Sequence, residues 1–260
     1  MIKAAFFDID GTLVSLKKKV YPASVKPALQ QLRKNGVLCF VATGRSKFEI
    51  KSEHLLDGLE FDGVLTNNGQ DAYDAAGNLL YGKPLDSGEA AAVLAWVEKT
   101  GCACWMVSAE KSILNFCNDR VLEAMEAIHT QLPECGDLRS MLDKPIYKIV
   151  LFLKREEMAP AMLLAPTSRM TQWYRVGHDI ISADGGKKNA MLEILARYQI
   201  RPEETITFGD SENDIEMLCA AGIGVAMANG TKECIAVADY ITADCDDDGI
   251  QKALEHFHLV

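Results

Sequence analysis

The 260-residue chain has no hydrophobic run of the length a bilayer span requires, few aromatic residues (7%) and a shortage of positive charge. Lys and Arg total 27 against 37 Asp and Glu, a formal net charge of -10. A phosphate-backbone binder needs a positive surface, so nucleic acid is not an expected partner. Membrane spanning needs about 20 consecutive apolar residues, so a membrane is not one either. Met1-Ile2-Lys3-Ala4 leads into an apolar run carrying Asp8 and Asp10, unlike a signal peptide. The expectation is a cytoplasmic protein. Its eight cysteines include one close pair, Cys102 and Cys104, with no second Cys or His pair at zinc-site spacing. Free thiols serving as small core hydrophobes are expected. What is present is ordinary globular composition, 48% hydrophobic and 25% charged. The length suits one large α/β domain or a core with an inserted second domain.

Residues 3–9 form a short apolar run ending at Asp10-Gly11-Thr12, the pattern of a buried parallel strand. Residues 24–35 read as a helix, with Val25, Leu29 and Leu32 at helical spacing, Ser24 able to cap it and Gly36 to stop it. A second strand, 37–42, closes at Thr43-Gly44-Arg45. A polar helix around 46–56 and a third strand, 63–66, follow. Strands alternating with helices imply a parallel sheet, in which ligands sit at the carboxyl ends of the strands. After about residue 81 the rhythm changes. A helix at 87–100 precedes strand candidates at 102–107 and 112–118, a helix near 119–131, a strand at 146–153, a helix near 155–165 and strands near 170–174 and 178–183. From 187 the βα rhythm returns, with helices at 187–198, 212–221 and 230–236 and strands at 205–209 and 223–227, then a final strand and helix. A parallel α/β core over 1–81 and 184–260, interrupted by an α+β insert over 82–183, is predicted. The insert is of independent-domain size.

The chemistry-bearing residues fall where predicted strands end. Asp8 closes an apolar strand, where an unpaired carboxylate is costly. Asp10 follows it, and Gly209-Asp210-Ser211-Glu212-Asn213-Asp214 sets more carboxylates between a strand and a helix. A helix cap accounts for Asp210 or Ser211 alone. If the two strands are neighbours, Asp8, Asp10, Asp210 and Asp214 converge, and each raises the others' pKa unless something positive intervenes. An oxygen-only ligand set suits Mg²⁺, which shares its shell with phosphate. Thr43-Gly44-Arg45 offers a hydroxyl and backbone N–H groups to an anion, or is simply a turn. Lys187 and Lys188 open a helix, where cations oppose the dipole. Both suit solvated surface positions, and Lys187 is the better placed to reach a phosphate or Asp8.

Taken in order, these four segments resemble the haloacid dehalogenase-like phosphohydrolase superfamily over nearly the whole chain. Asp8-x-Asp10-Gly11-Thr12-Leu13 looks like its first motif, Thr43-Gly44-Arg45 its second, Lys187 its third and Gly209-Asp210-x-x-Asn213-Asp214 its fourth. The insert, Asn68-Gly69 and Asp248-Gly249-Ile250 resemble the Cof-type, class IIB subgroup. Lys188 stands where many Cof-type members have Gly, so either lysine could reach the phosphate. The resemblance implies a Rossmann-like core with a cap domain and a Mg²⁺-dependent phosphatase acting on small phosphorylated metabolites. Asp8 would attack phosphorus, and Asp10 would serve as acid and then base. Asp8, the Asp10 carbonyl and Asp210 would hold the metal, with Asp214 or Asn213 direct or through water. Thr43, Gly44, Lys187 and Asn213 would contact the phosphate. A phosphomutase of the phosphomannomutase type shares this chemistry. A phospho-accepting or binding module shares the carboxylates, metal and lysine but has no need of the insert.

Overall fold

The run at 3–9 forms strand β1 over Ala4–Phe7, and all four of its side chains are buried. The computed structural model describes residues 1–128 and 130–260. After β1 come α1 (Val25–Lys34), β2 (Leu38–Ala42), α2 (Lys47–Ser52), β3 (Gly63–Thr66), β4 (Asp71–Asp74) and β5 (Leu79–Gly82). Then follow α3 (Ser87–Thr100), β6 (Cys104–Ser108), β7 (Ser112–Leu114), α4 (Asp119–Ala127), β8 (Glu134–Cys135), β9 (Ile146–Leu151), α5 (Ala159–Leu163), β10 (Ser168–Tyr174) and β11 (Gly177–Ser182). The remainder holds α6 (Lys187–Tyr198), β12 (Thr205–Gly209), α7 (Ile215–Ala220), β13 (Ile223–Ala226), α8 (Lys232–Val237), β14 (Tyr240–Ile241) and α9 (Gly249–His256).

The chain divides into two compact units, one of residues 1–81 and 186–260, the other of residues 82–185. In the first, the strands form one sheet in the order β14-β13-β12-β1-β2-β3-β4-β5. Pairing is parallel from β14 to β3, and β4 runs antiparallel to β3. From β1 the chain builds outward through β2 and β3, then crosses back to place β12 on the other side of β1. That reversal makes the β1–β12 boundary a topological switch point, where such sheets leave a crevice beyond the strand ends. Helices cover both faces. Phe7 and Phe208 stack at 4.9 Å in a cluster that also takes in Leu29 and Leu32 of α1 and Ile250 and Leu254 of α9. Phe6 and Phe40 stack at 4.9 Å on the opposite face, with Met191 and Ile194 of α6. Consecutive phenylalanines in β1 thus fill two cores, and each buried ring contributes roughly 1.5–3 kcal/mol.

The second unit holds a mainly antiparallel sheet, β10-β11-β9-β6-β7-β8. Alternate residues of β6 face opposite clusters, Cys104 and Met106 with α3, Trp105 and Val107 with α4. The architecture is therefore mixed α/β with a parallel-rich sheet and a separate α+β unit. Among the described residues no helix is long and apolar enough to cross a membrane.

Several local expectations are corrected. The helix expected at 155–165 splits into a 3₁₀ turn, Arg155–Glu157, and α5, because Pro160 lacks the N–H that a continuous helix would use. The helix expected at 119–131 spans Asp119–Ala127, and residue 129 lies outside the described residues. Ser24 does not cap α1, since its hydroxyl donates to Asp248 at 2.5 Å. β4 and β5 extend the core sheet where no strand was expected; each is four residues long, too short to show a period. Of the cysteines, Cys39, Cys104, Cys234 and Cys245 are buried as core thiols, whereas Cys117, Cys135 and Cys219 are exposed.

β1 and β12 are also tied at their starts. The Lys3 ammonium meets Glu204 at 2.8 Å, and Arg201 meets the same carboxylate at 3.3 Å. The hydrogen bond from Lys3 leads the effects that hold the Glu204 carboxyl at about 2, below its ordinary 4.5. A carboxyl depressed in the folded state stabilises above its unfolded pKa, and that stability is lost as pH falls through the folded one. Glu204→Gln is therefore expected to be less stable than wild type in urea at pH 7. The gap should close as pH falls from about 4.5 towards about 2. A gap constant across that window would contradict the pairing.

Candidate active site

Asp8 follows β1 directly, and its N–H donates to the Phe208 carbonyl of β12 at 3.0 Å. Asp210 follows β12 in the same way. Parallel pairing in register, Phe7 beside Phe208, therefore brings the two carboxylates to one edge of the sheet. Asp214 joins them from the turn ahead of α7, and one oxygen from each of the three lies within 4.8 Å of the others. All three are buried. The turn begins as a 3₁₀ helix over Glu212–Asp214 where a longer α-helix was expected. Asp214 causes this, because its Oδ2 accepts from the N–H groups of Asp210 and Ser211, both at 3.1 Å.

Lys187, the first residue of α6, enters this acidic group. Its Nζ donates to Asp8 Oδ1 and Asp214 Oδ1, each at 2.7 Å, and the side chain is 1% exposed. Lys188 is half-buried and, among the described residues, makes no ion pair with these carboxylates. Placing Lys187 there depends on a close backbone approach. Gly69 has φ +73°, and a Cβ on it would stand 2.5 Å from the Gly186 carbonyl carbon and 2.7 Å from the Lys187 nitrogen. Gly11, at φ +83°, is constrained likewise, since a side chain there would strike the Asp210 carboxylate. These two glycines fit the acidic loops and α6 together.

Burial is the largest influence on Asp8 and raises its pKa; Lys187 opposes it, while Asp214, Asp210 and Asp10 add to it, leaving the carboxyl well above its ordinary value. Burial and Asp214 likewise push Asp210 up to about 7. For Lys187 burial favours the neutral amine, but Asp214 and Asp8 outweigh it and hold the ammonium charged. One cation is thus set against three buried carboxylates. Asp210 Oδ1 is buried with no hydrogen-bond partner among the described residues. An oxygen-only donor set, an excess of negative charge and an unclaimed carboxylate oxygen together fit a hard divalent cation. Asp8 and Asp210 would be the better-placed side chains to hold one, because both Asp214 oxygens already accept hydrogen bonds.

Asp10, Thr43, Gly44 and Asn213 lie in the loops that follow β1, β2 and β12. The Asp10 carboxylate is not part of the buried acidic group. Both of its oxygens accept from Arg45, at 2.6 Å from Nε and 2.9 Å from Nη2. Thr43 is buried, and its hydroxyl oxygen accepts from the Arg45 N–H at 3.1 Å. At Gly44 a Cβ would lie 3.0 Å from Asn68 Oδ1. The same oxygen accepts from Asn213 Nδ2 at 2.8 Å, so Asn68 joins the loops after β2 and β12. Asn67 and Asn68 both have positive φ. Their loop is anchored by buried Asp71, which accepts from Thr66, Asn67 and Tyr73. The bridging role of Asn68 and the Glu53 partner of Arg45 were missed in the sequence. Consecutive Asn-Asn-Gly was a signal for the first, whereas an ion pair eight residues apart leaves none. In the 82–185 unit, Trp105 and His178 are buried and Phe116 is exposed. The indoles of Trp105 and Trp173 donate to Ser112 and Asp179, and the Tyr174 hydroxyl to Glu123.

A doubly wound sheet with a buried lysine–carboxylate group at its switch point is shared by phosphoryl-handling hydrolases and phospho-accepting modules, and comparison with known proteins separates the two. The chain belongs to the haloacid dehalogenase-like hydrolase family, whose sequence profile matches residues 5–254. It is similar to the solved structure of the HAD subclass IIB sugar phosphatase BT4131, with 32% identity and a TM-score of 0.84, covering 99% of this chain and 100% of that one. It is 26% identical to the Bacillus subtilis (strain 168) 5-amino-6-(5-phospho-D-ribitylamino)uracil phosphatase YitU, over 97% of this chain and 96% of that protein. A Streptococcus pyogenes serotype M6 relative, whose name pairs a phosphatase with a peptidyl-prolyl cis-trans isomerase, is 28% identical over all of this chain. The chain spans only 54% of that protein. Family and relatives make the chain a hydrolase of phosphoric monoesters.

Removing Lys187 should expose the charge imbalance. Lys187→Met is expected to lower unfolding stability by about 3–5 kcal/mol, the usual result of stripping one partner from a buried ion pair. Urea unfolding measures this. A loss under about 1 kcal/mol, the range of an exposed pair, would show that Lys187 is not the counter-charge the geometry makes it.

Proposed function

We propose that the protein is a Mg²⁺-dependent phosphatase that hydrolyses phosphomonoesters of small metabolites, such as sugar phosphates, nucleotides or phosphorylated cofactors, through an aspartyl-phosphate. The placement of Asp8 carries this reading. It is a buried carboxylate at a strand end, held by Lys187 and flanked by Asp210. In the first step an Asp8 oxygen forms a bond to phosphorus as the bond from phosphorus to the leaving oxygen breaks, and Asp10 gives its proton to that oxygen. In the second, Asp10 takes a proton from water, the water oxygen bonds to phosphorus, and the Asp8 carboxylate leaves with inorganic phosphate as product. Lys187 lies beside Asp8, where it can balance the transferring phosphoryl oxygens without reorganising. Thr43, Gly44 and Asn213 complete the phosphate contacts, the last two around Asn68. Asp8, the Asp10 carbonyl and Asp210 would hold a magnesium ion, with Asp214 behind them, and the ion would neutralise phosphoryl charge.

Residues 82–185 are assigned the choice of leaving group, as a cap domain, because the core residues named above handle only the phosphate. A sugar phosphatase and a phosphoribitylamino-uracil phosphatase among the similar proteins support small phosphorylated metabolites as the substrate class.

Phosphate release over a panel of phosphorylated metabolites tests this reading. Wild type with Mg²⁺ is expected to turn over at least one of them, chelation should stop it, and Asp8→Asn should reduce the rate by at least about 10³-fold, since the nucleophile is lost. Turnover that survives Asp8→Asn, or a wild type inert to the whole panel, would contradict it. Isomerised sugar phosphate without phosphate release would mark a mutase.

A further inference from the structure

Arg45 does more than close a turn. Its guanidinium spans two carboxylates: Nε and Nη2 engage both oxygens of Asp10, while Nη1 donates to Glu53 Oε2 at 2.7 Å. The Arg45 and Glu53 side chains are each 10% exposed, and that of Asp10 is 32% exposed. Fork-to-fork pairing fixes the plane of a carboxylate as well as its position, which one ammonium cannot do. The support behind Arg45 is itself rigid. Its N–H donates to Thr43, and Ser46 and Glu49 form a reciprocal capping box that starts α2 at Lys47. Glu53 follows α2 directly as its C-cap. The helix therefore holds both ends of the Arg45 anchor at a set distance.

Resting on the phosphatase reading above, we propose that Arg45, braced by Glu53, is a positioning residue that aims the Asp10 carboxylate at the leaving oxygen and then at the attacking water. Asp10 follows β1 by three residues, and its charge reaches both Asp8 and Asp210. The chain bends sharply through Gly11 just after it. Proton transfer depends on heavy-atom geometry within hydrogen-bond reach. A carboxylate free to rotate at this turn would meet the leaving oxygen in only a fraction of encounters. Arg45 restricts it to one plane and leaves its outer lone pairs for the proton in transit.

The chemistry gives this role a distinctive kinetic mark. An alkoxide is a poor leaving group and needs the Asp10 proton as its bond to phosphorus breaks. A 4-nitrophenolate leaves without one. Arg45→Met is expected to lower kcat/KM, which reports the steps through phosphoryl transfer to Asp8, about 10- to 100-fold on the best alkyl phosphate that the wild type hydrolyses. On 4-nitrophenyl phosphate the loss should be at least fivefold smaller (about 2- to 10-fold). Glu53→Gln should show the same leaving-group bias more weakly, and Arg45→Lys should recover part of the alkyl-phosphate loss. Circular dichroism and urea unfolding confirm folding of each variant, and Glu53→Gln carries the test if Arg45→Met does not fold. Equal losses of kcat/KM on both substrates, or no loss at all, would overturn the positioning role while leaving the phosphatase reading intact. A wild type that hydrolyses neither substrate would overturn both.

Discussion

The ammonium of Lys187, buried between Asp8 and Asp214, is the interaction on which the site depends. Three carboxylates cannot stay close in a buried pocket without positive charge. That need explains why α6 must begin where it does and why Gly69 and Gly186 meet backbone to backbone. It also explains why Asp214 is held by the N–H groups of Asp210 and Ser211 rather than left mobile. One lysine against three aspartates still leaves an excess of negative charge, which a hard divalent cation would balance.

The fold supplies this arrangement through a single topological decision. Crossing back from β3 to set β12 beside β1 joins segments about two hundred residues apart in sequence. The stacked Phe7 and Phe208 hold the register that aligns Asp8 with Asp210. A slip of one residue would turn Phe7 out of its cluster and carry Asp8 with it, so core packing and site geometry are set by the same constraint.

Much of this was legible in the sequence, for physical reasons. Buried parallel strands read as apolar runs, and the runs at 3–9, 37–42, 63–66 and 205–209 each end in polar residues that reach the same edge. Strand adjacency alone predicts that Asp8, Asp10, Asp210 and Asp214 converge; among the described residues Asp8, Asp210 and Asp214 form a buried group, whereas the Asp10 carboxylate turns to Arg45. Other features left no local trace. β4 and β5 are too short for a period, and Asp71, polar yet buried, disguises the first of them. The pairing of Arg45 with Asp10 and Glu53 joins three segments by side chains alone, and no spacing rule encodes it. The same is true of Asn68, whose bridge between Gly44 and Asn213 exists only in three dimensions.

The most direct test of Asp8 as the nucleophile is rapid acid quenching during turnover of a phosphorylated substrate, followed by mass spectrometry of the peptides. The account predicts a phosphoryl adduct on Asp8, formed as substrate is consumed and lost as phosphate appears. Phosphate release with Asp8 unmodified throughout, or an adduct on another residue, would contradict it.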